Sequence, residues 1–494
     1  MDFLQAAMSG QTGPGPSAKE HDMDSSVTRR TLLTGAAAGF GFAFTGSMEA
    51  FARPGPRFPG GIPGYGPLVE IPGKVLSLPA GFSYVEVARS IDTITDDELP
   101  YPSDPDGMGV FAGKNGGSVL VTNHENSNLE KARVPAIPGV IYDPEAIGGT
   151  STVTVDKIGN RRGAYTSLAG TDNNCAGGVT PWGTWLTCEE TERRKDAKIG
   201  GRILTKDHGF VFEVDPVSRA ANLDHSPIPL TFLGRYSHEA VAVDPQTHRI
   251  YLTEDAVDPN GLYYRWTPPR GFRAKKGSLH ALAEAKGAGA GRLQAMSCRD
   301  GRRRIVDLSE ATEVGTRYQV RWVEVPDRLA EETSIRLQDF AEPITRSRKL
   351  EGAWWGNGGA YFVASFARPE ASGDGSLNAH DGQVWFYDPE RRTVTLKTLF
   401  GLNPDPDSDK FDGPDNITVS PHGGLILAED GEGINHLIGV SRRGRAYLLA
   451  RNENEENGEF CGPSFSLDGR VLFTNIQSPT FGATLAITGP WRRG

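Results

Sequence analysis

Histidine and cysteine are scarce in this chain, with ten histidines and four cysteines among 494 residues. The cysteines, at 175, 188, 298 and 461, include no C-x-x-C pair, which removes zinc-finger and thioredoxin-like readings. Four are also too few for a disulfide scaffold, although two disulfides or a metal-held thiol both remain compatible with an oxidising exterior. Past the first 50 residues the sequence lacks any apolar run long enough to span a bilayer. Basic charge is short as well: the formal net charge is −10, and residues 1–52 carry five acids and three bases, so the remainder stands near −8. Neither nucleic acid nor an anionic membrane surface is an expected partner for that balance.

Glycine and proline, in contrast, are plentiful: 61 and 34 residues, with hydrophobic content at 37%. A turn-rich composition of this kind suits many short strands and not long helices. Length alone would allow two to four domains, but closed β architectures run long as one unit.

Near the start, Thr28-Arg29-Arg30-Thr31-Leu32-Leu33 precedes an uncharged stretch reaching Met48, and Ala50-Phe51-Ala52 offers small residues for cleavage. Residues 1–52 therefore read as a twin-arginine signal peptide. A transmembrane anchor is disfavoured because the apolar part is short and rich in Gly, Ala and Thr. The expected location is the periplasm or the cell exterior, with the twin-arginine export machinery as a partner, no stable membrane anchor, and a monomeric state. This route commonly serves proteins that take up a cofactor before crossing the membrane, which favours a metalloprotein. Residues 53–74, crowded with Pro and Gly, read as a linker.

From 75 to 490 one phrase recurs: a glycine or polar turn, an alternating strand, then acids or amides at its exit. It appears as Ser118–Glu125, Gly183–Glu190, His248–Asp255, Gly423–Asp430 and Gly469–Asn475, and without a terminal acid as Gly358–Ser365. Partner strands end in Asp-Pro turns, as at Asp215-Pro216 and Asp388-Pro389. Six such units predict an all-β chain, a β-propeller of about six blades forming a single domain with inserted loops and short helices near 278–302 and 325–348. Innermost propeller strands lead their ends into a channel, so Glu125, Glu189 or Glu190, Glu254 or Asp255, and Glu429 or Asp430 are expected around one opening. A ring of carboxylates there repels itself, and cations are the natural remedy.

The most distinctive stretch runs from Asn173-Asn174-Cys175-Ala176-Gly177-Gly178 to Cys188-Glu189-Glu190. It brings a thiol and carboxylates near one another; on spacing alone it reads equally as a buried cysteine ahead of an ordinary strand. Further phrases are Arg235-Tyr236-Ser237-His238-Glu239, Lys349-Leu350-Glu351-Gly352 and Pro414-Asp415-Asn416. Taken singly, each is an Asx turn or a surface pair as readily as a site.

Together these phrases resemble the PhoX-type alkaline phosphatases, over about residues 75–480. The resemblance implies a secreted metal-dependent phosphatase that hydrolyses phosphomonoesters at a cluster of a ferric iron pair and calcium ions in the propeller channel. It implies iron at Cys175 with Glu190, Glu239 and Glu351, and calcium at Asp415, Asn416, Glu429, Asp430 and Glu125. The donor set agrees: ferric iron suits carboxylates and a thiolate, calcium takes oxygen only, and a zinc site would show more His or Cys. His124 and His238 are expected as hydrogen-bond partners. Lys349 and Arg235 are the basic residues expected to contact a phosphorylated substrate. Lys349 departs from the arginine expected two positions before Glu351, and lacks the bidentate fork. Two other readings stay open at this point, a calcium-dependent lactonase or esterase that needs no role for Cys175, and a non-enzymatic periplasmic binding propeller.

Overall fold

The computed structural model describes residues 64–491 except 127–131, 225–226, 284, 286, 366–381, 402–408, 432, 455, 457 and 479–480. The expected signal peptide, and residues 53–63 of the expected linker, lie outside the described residues.

Nearly all regular structure is antiparallel β. Six inner strands stand side by side in a ring: Pro105–Ala112, Asn174–Val179, His238–Val243, Leu350–Gly356, Pro414–Val419 and Glu459–Phe465. Each packs against the next, and the sixth returns to the first. These strands define blades 1 to 6. Blade 1 continues outward through Ser118–His124, Gly148–Val155 and Arg161–Thr171, and blade 4 through Gly359–Ala364, Gln383–Asp388 and Thr393–Leu399. Among the described residues, blade 2 has only Trp185–Glu189 and Val211–Val214 beyond its inner strand. Blade 3 runs through Ile250–Glu254, Tyr263–Thr267 and Arg292–Asp300 to Arg317–Glu324, which hydrogen-bonds to Thr393–Leu399 and joins blades 3 and 4 in one sheet.

The ring is closed by strands from both ends of the chain. In blade 6, Val471–Gln477 and Ala483–Thr488 are completed by Ser83–Arg89. In blade 5, Leu425–Glu429, His436–Val440 and Ala446–Asn452 are extended by Leu76–Pro79 and then Leu68–Val69. The described part of the expected linker is therefore structured; Tyr65 also packs edge-on against Phe82, Tyr447 and Trp491. Composition concealed this, because two residues of edge strand need no apolar pattern.

A blade is covered on both faces by its neighbours, so second strands such as Ile250–Glu254 and Gly359–Ala364 are buried at every position. Large side chains fill the space between blades, among them Trp185, Trp266, Trp385 and Phe362. Each contributes about 1.5–3 kcal/mol through burial.

Both expected insertions are partly something else. Much of 278–302 is the fourth strand of blade 3, Arg292–Asp300, preceded by the short helix His280–Ala283. Between 325 and 348 the expected peripheral helix is absent: the described residues hold one 3-10 turn, Ile335–Leu337, in an otherwise irregular strap of turns and bends. Arginines pin the strap. Arg235 donates to the carbonyls of Leu329 and Ala330, Arg328 to those of Phe232 and Gly291, and Arg346 to that of Asn260.

Candidate metal centre

The repeated strands expected to be innermost are second in their blades, and the inner strands precede them by one hairpin. All six inner strands share one irregularity. In blades 1 to 5 the register with the second strand slips after Pro105, Asn174, His238, Leu350 and Pro414, leaving two residues of the inner strand opposite one. These bulged pairs are Asp106-Gly107, Cys175-Ala176, Glu239-Ala240, Glu351-Gly352 and Asp415-Asn416. A bulge re-aims side chains, and here the first residue of every pair is a donor buried at the channel. In blade 6 the slip follows Cys461, and the equivalent residue is Gly462. It has φ +54, and a Cβ there would lie 2.5 Å from the Asp106 carbonyl oxygen. The sixth place is thus closed to any side chain.

Small residues let the inner strands approach this closely. A Cβ on Gly107 would stand 2.5 Å from Ala176 Cα, and one on Gly352 2.7 Å from Asn416 Cα. Gly107, Ala176, Ala240, Gly352, Asn416 and Gly462 also line a small cavity beside the donors.

The donors form four linked groups, each with its ligand atoms within 4.8 Å of one another: Asp106, Glu125 and Cys175; Cys175, Glu190 and Glu239; Glu239, Glu351 and Asp415; Asp415, Asp430 and Glu459. Cys175 belongs to two of them, its Sγ 3.2 Å from Glu239 Oε1 and 3.6 Å from Asp106 Oδ2. Burial pushes this thiol well above its ordinary pKa, and the charges of Asp106, Glu239, Glu125 and Glu190 push it further. A thiolate at this point requires neighbouring positive charge. Carboxylates with one thiolate are donors suited to hard or intermediate cations, so the residues fit metal ions.

Glu125, Glu190 and Asp430 follow the ends of second strands and face the inner-strand donors. Glu189, Glu254 and Glu429, one residue earlier, turn the other way into the blades. Glu189 accepts hydrogen bonds from His208 Nδ1 at 2.6 Å and from the amides of Gly209 and Phe210 at 2.8 and 3.0 Å. Glu429, expected at calcium, instead accepts from Asp412 N and His436 Nδ1, both at 2.7 Å. Glu254 accepts from Tyr264 Oη at 2.7 Å and pairs with Arg336 of the strap at 3.3 Å. Burial raises its pKa to about 7 against the lowering effect of Arg336.

Asn416 also differs from expectation. Its Oδ1 accepts from Gly462 N at 2.7 Å and its Nδ2 donates to Asp415 Oδ1 at 2.9 Å, so it braces Asp415. Arg235, expected at a phosphate, is 4% exposed and spends its guanidinium on the carbonyls of Glu192, Leu329 and Ala330. Lys349 does stand at the centre: its Nζ is 2.8 Å from Asp255 Oδ2 and 3.2 Å from Glu351 Oε1. His124 bonds Ser103 O and Ser151 Oγ, and His238 bonds Gly234 O. Burial lowers these two histidines to about 4 and about 3, so both are neutral.

Sequence reasoning missed Asp106 and Glu459. Asp106 sits in Asp104-Pro105-Asp106-Gly107, which reads as a turn; the signal that finds it is a donor followed by a small residue one hairpin ahead of each acid-ended strand. Glu459 carries no comparable signal.

Comparison with known proteins agrees with this architecture. A search of curated proteins finds no sequence match. Among solved structures, Pseudomonas fluorescens PhoX in complex with vanadate, a transition state analogue, superimposes with a TM-score of 0.61 at 17% identity, covering 84% of this chain and 96% of that one. A luciferin-regenerating enzyme aligns with a TM-score of 0.41 at 11% identity, covering 83% and 97%. The family model for alkaline phosphatase PhoX matches residues 63–480. The chain therefore belongs to the PhoX alkaline phosphatase family and is an enzyme of that phosphatase class.

Proposed function

We propose that this chain hydrolyses phosphomonoesters outside the cytoplasm, at a mixed iron and calcium centre in the propeller channel, after export through the twin-arginine route. The observation that carries this reading is the convergence of the buried Cys175, Asp106, Glu239, Glu351 and Asp415 with the half-buried Glu190. Iron would be held by Cys175 with Glu190, Glu239 and Glu351, because a thiolate is a ligand that calcium refuses. Calcium would fall to the all-oxygen group Asp415, Asp430 and Glu459, and to the carboxylates of Asp106 and Glu125 beside Cys175. When bound, the cations supply the positive charge that attracts a phosphate dianion and offsets charge developing as the ester bond breaks.

The chain's own residues do the rest. Lys349, with its side chain 20% exposed, carries an ammonium between Asp255 and Glu351 and would orient the phosphate as a point charge. Ser365 donates to Glu351 Oε1 at 2.7 Å and fixes the face that this carboxylate turns to the channel. Asn416 does the same for Asp415. The bulges hold the donors in place before a substrate arrives, so little reorganisation is left for the reaction. The test is hydrolysis of a chromogenic phosphomonoester before and after chelation. Full activity in chelated, metal-free protein would refute the reading.

A further inference from the structure

Cys175 and Ala176 are outside the ladder because of the bulge, and both carbonyls meet a side chain from the neighbouring blade. Asn123, fully buried and penultimate in the second strand of blade 1, donates from Nδ2 to Cys175 O at 2.8 Å and to Ala176 O at 2.7 Å. The orientation of its amide is forced, because Trp185 Nε1, a donor only, lies 2.8 Å from Asn123 Oδ1. Thr253 holds the equivalent place in blade 3. Its Oγ1 donates to Glu351 O in blade 4 at 2.7 Å and accepts from Ala240 N at 2.9 Å. Asn475 in blade 6 likewise donates to Asp106 O of blade 1. Three of the five ring donors thus have their main-chain carbonyls gripped from the preceding blade.

We propose that Asn123 is a positioning residue for the Cys175 thiol: by gripping the bulge across the blade boundary it sets where Sγ stands between Asp106 and Glu239, and Thr253 does the same for Glu351. Cys175 is shared by two donor groups, so a displacement of its main chain is felt in both. Loosened ligand supports typically cost 10–100-fold in metal affinity. The inference rests on the metal-centre reading, and the experiment separates the two.

Cobalt(II) is titrated into the metal-stripped full chain, following the thiolate-to-cobalt charge-transfer band in the near ultraviolet; Cys175→Ala is the control. Asn123→Asp keeps the volume, removes both donated bonds and sets a carboxylate against two carbonyl oxygens. The expected result is a wild-type band lost in Cys175→Ala, and in Asn123→Asp an apparent cobalt affinity at least about tenfold weaker, with a diminished band and near-ultraviolet circular dichroism showing a folded protein. Asn123→Asp with wild-type affinity and intensity overturns the positioning role while leaving the metal centre intact. A wild type without a Cys175-dependent band overturns the metal reading and the positioning role with it. If Asn123→Asp does not fold, Thr253→Val, nearly isosteric, carries the test. It is expected to weaken cobalt binding by the same order through Glu351, and unchanged affinity there contradicts the proposal.

Discussion

Cys175 owes its chemistry to where it stands: a thiol on a bulge with carboxylates on either side, in surroundings that forbid a thiolate unless cations accompany it. Lys349 is the half-buried cationic counterpart at the same centre. Replacing it with methionine is expected to raise KM for a phosphomonoester by about tenfold, the loss of one charged hydrogen bond worth about 1.5 kcal/mol, and to leave the melting temperature nearly unchanged. Replacing Arg235 with alanine should do the reverse, lowering the melting temperature by freeing the strap while KM stays within about twofold, since a guanidinium bonded to carbonyls meets no substrate. Steady-state kinetics beside thermal melts on both variants separate the two cases, and a raised KM in Arg235→Ala would contradict the placement. The sequence phrases around Cys175, Glu190, Glu239, Glu351 and Asp415 led to residues that the fold brings together. Within those phrases and the acid-ended strands, Asn416, Glu429 and Arg235 turn to other partners, because spacing along a chain does not say which way a side chain turns. Of two consecutive acids at a strand exit, one faces the channel and the other the blade, and only the pleat decides which.

At the scale of elements, the inner strands are shaped by bulges and by small residues. Gly352→Ala would press a methyl group against the Asn416 backbone, 2.7 Å away. Relief requires blades 4 and 5 to part; the expected cost is about 1–3 kcal/mol, together with weaker metal retention, read by denaturant unfolding and elemental analysis. Stability unchanged in Gly352→Ala would show that the ring is not held at contact. The strap is the second element of consequence. Arg336 reaches Glu192 at 2.6 Å and Glu254 at 3.3 Å, one residue away from Glu190's neighbour and from Asp255. Arg336→Met strands those charges, with Glu254 able to relieve itself by taking up a proton. The same bulges explain why the inner strands escaped notice in the sequence. Two unpaired residues break the period-2 pattern, whereas the second strands, regular and flanked by glycine turns, stand out and were mistaken for them.

For the whole molecule, the propeller was readable because its second strands repeat, and the outer extension of blade 5 was not, because a strand as short as Leu68–Val69 carries no pattern. Buried histidines set the pH limits of the closed ring. His208, between Glu189 and Asp143, is driven up to about 10 by the two carboxylates against the opposing effect of burial. A raised folded pKa means stability fully present below about 6.5 and lost progressively as pH climbs through about 10. His124 and His238 are depressed, so their contribution is present above about 6.5 and lost as pH falls toward about 4 and about 3. The melting temperature should therefore fall on both sides of neutrality, and His208→Gln should flatten the alkaline limb specifically; an alkaline limb identical in that variant would contradict the assignment. One ring of carboxylates with a single thiol is proposed to make this phosphatase metal-dependent. The most direct measurement is elemental analysis of the full chain, purified from a host with twin-arginine export, alongside phosphomonoester hydrolysis by wild type and Cys175→Ala. Iron and calcium are expected in near-integral ratios in the active wild type, with iron and hydrolysis lost together in the variant. Hydrolysis by iron-free protein, or a fully metallated wild type inactive on every phosphomonoester tried, would contradict this proposal.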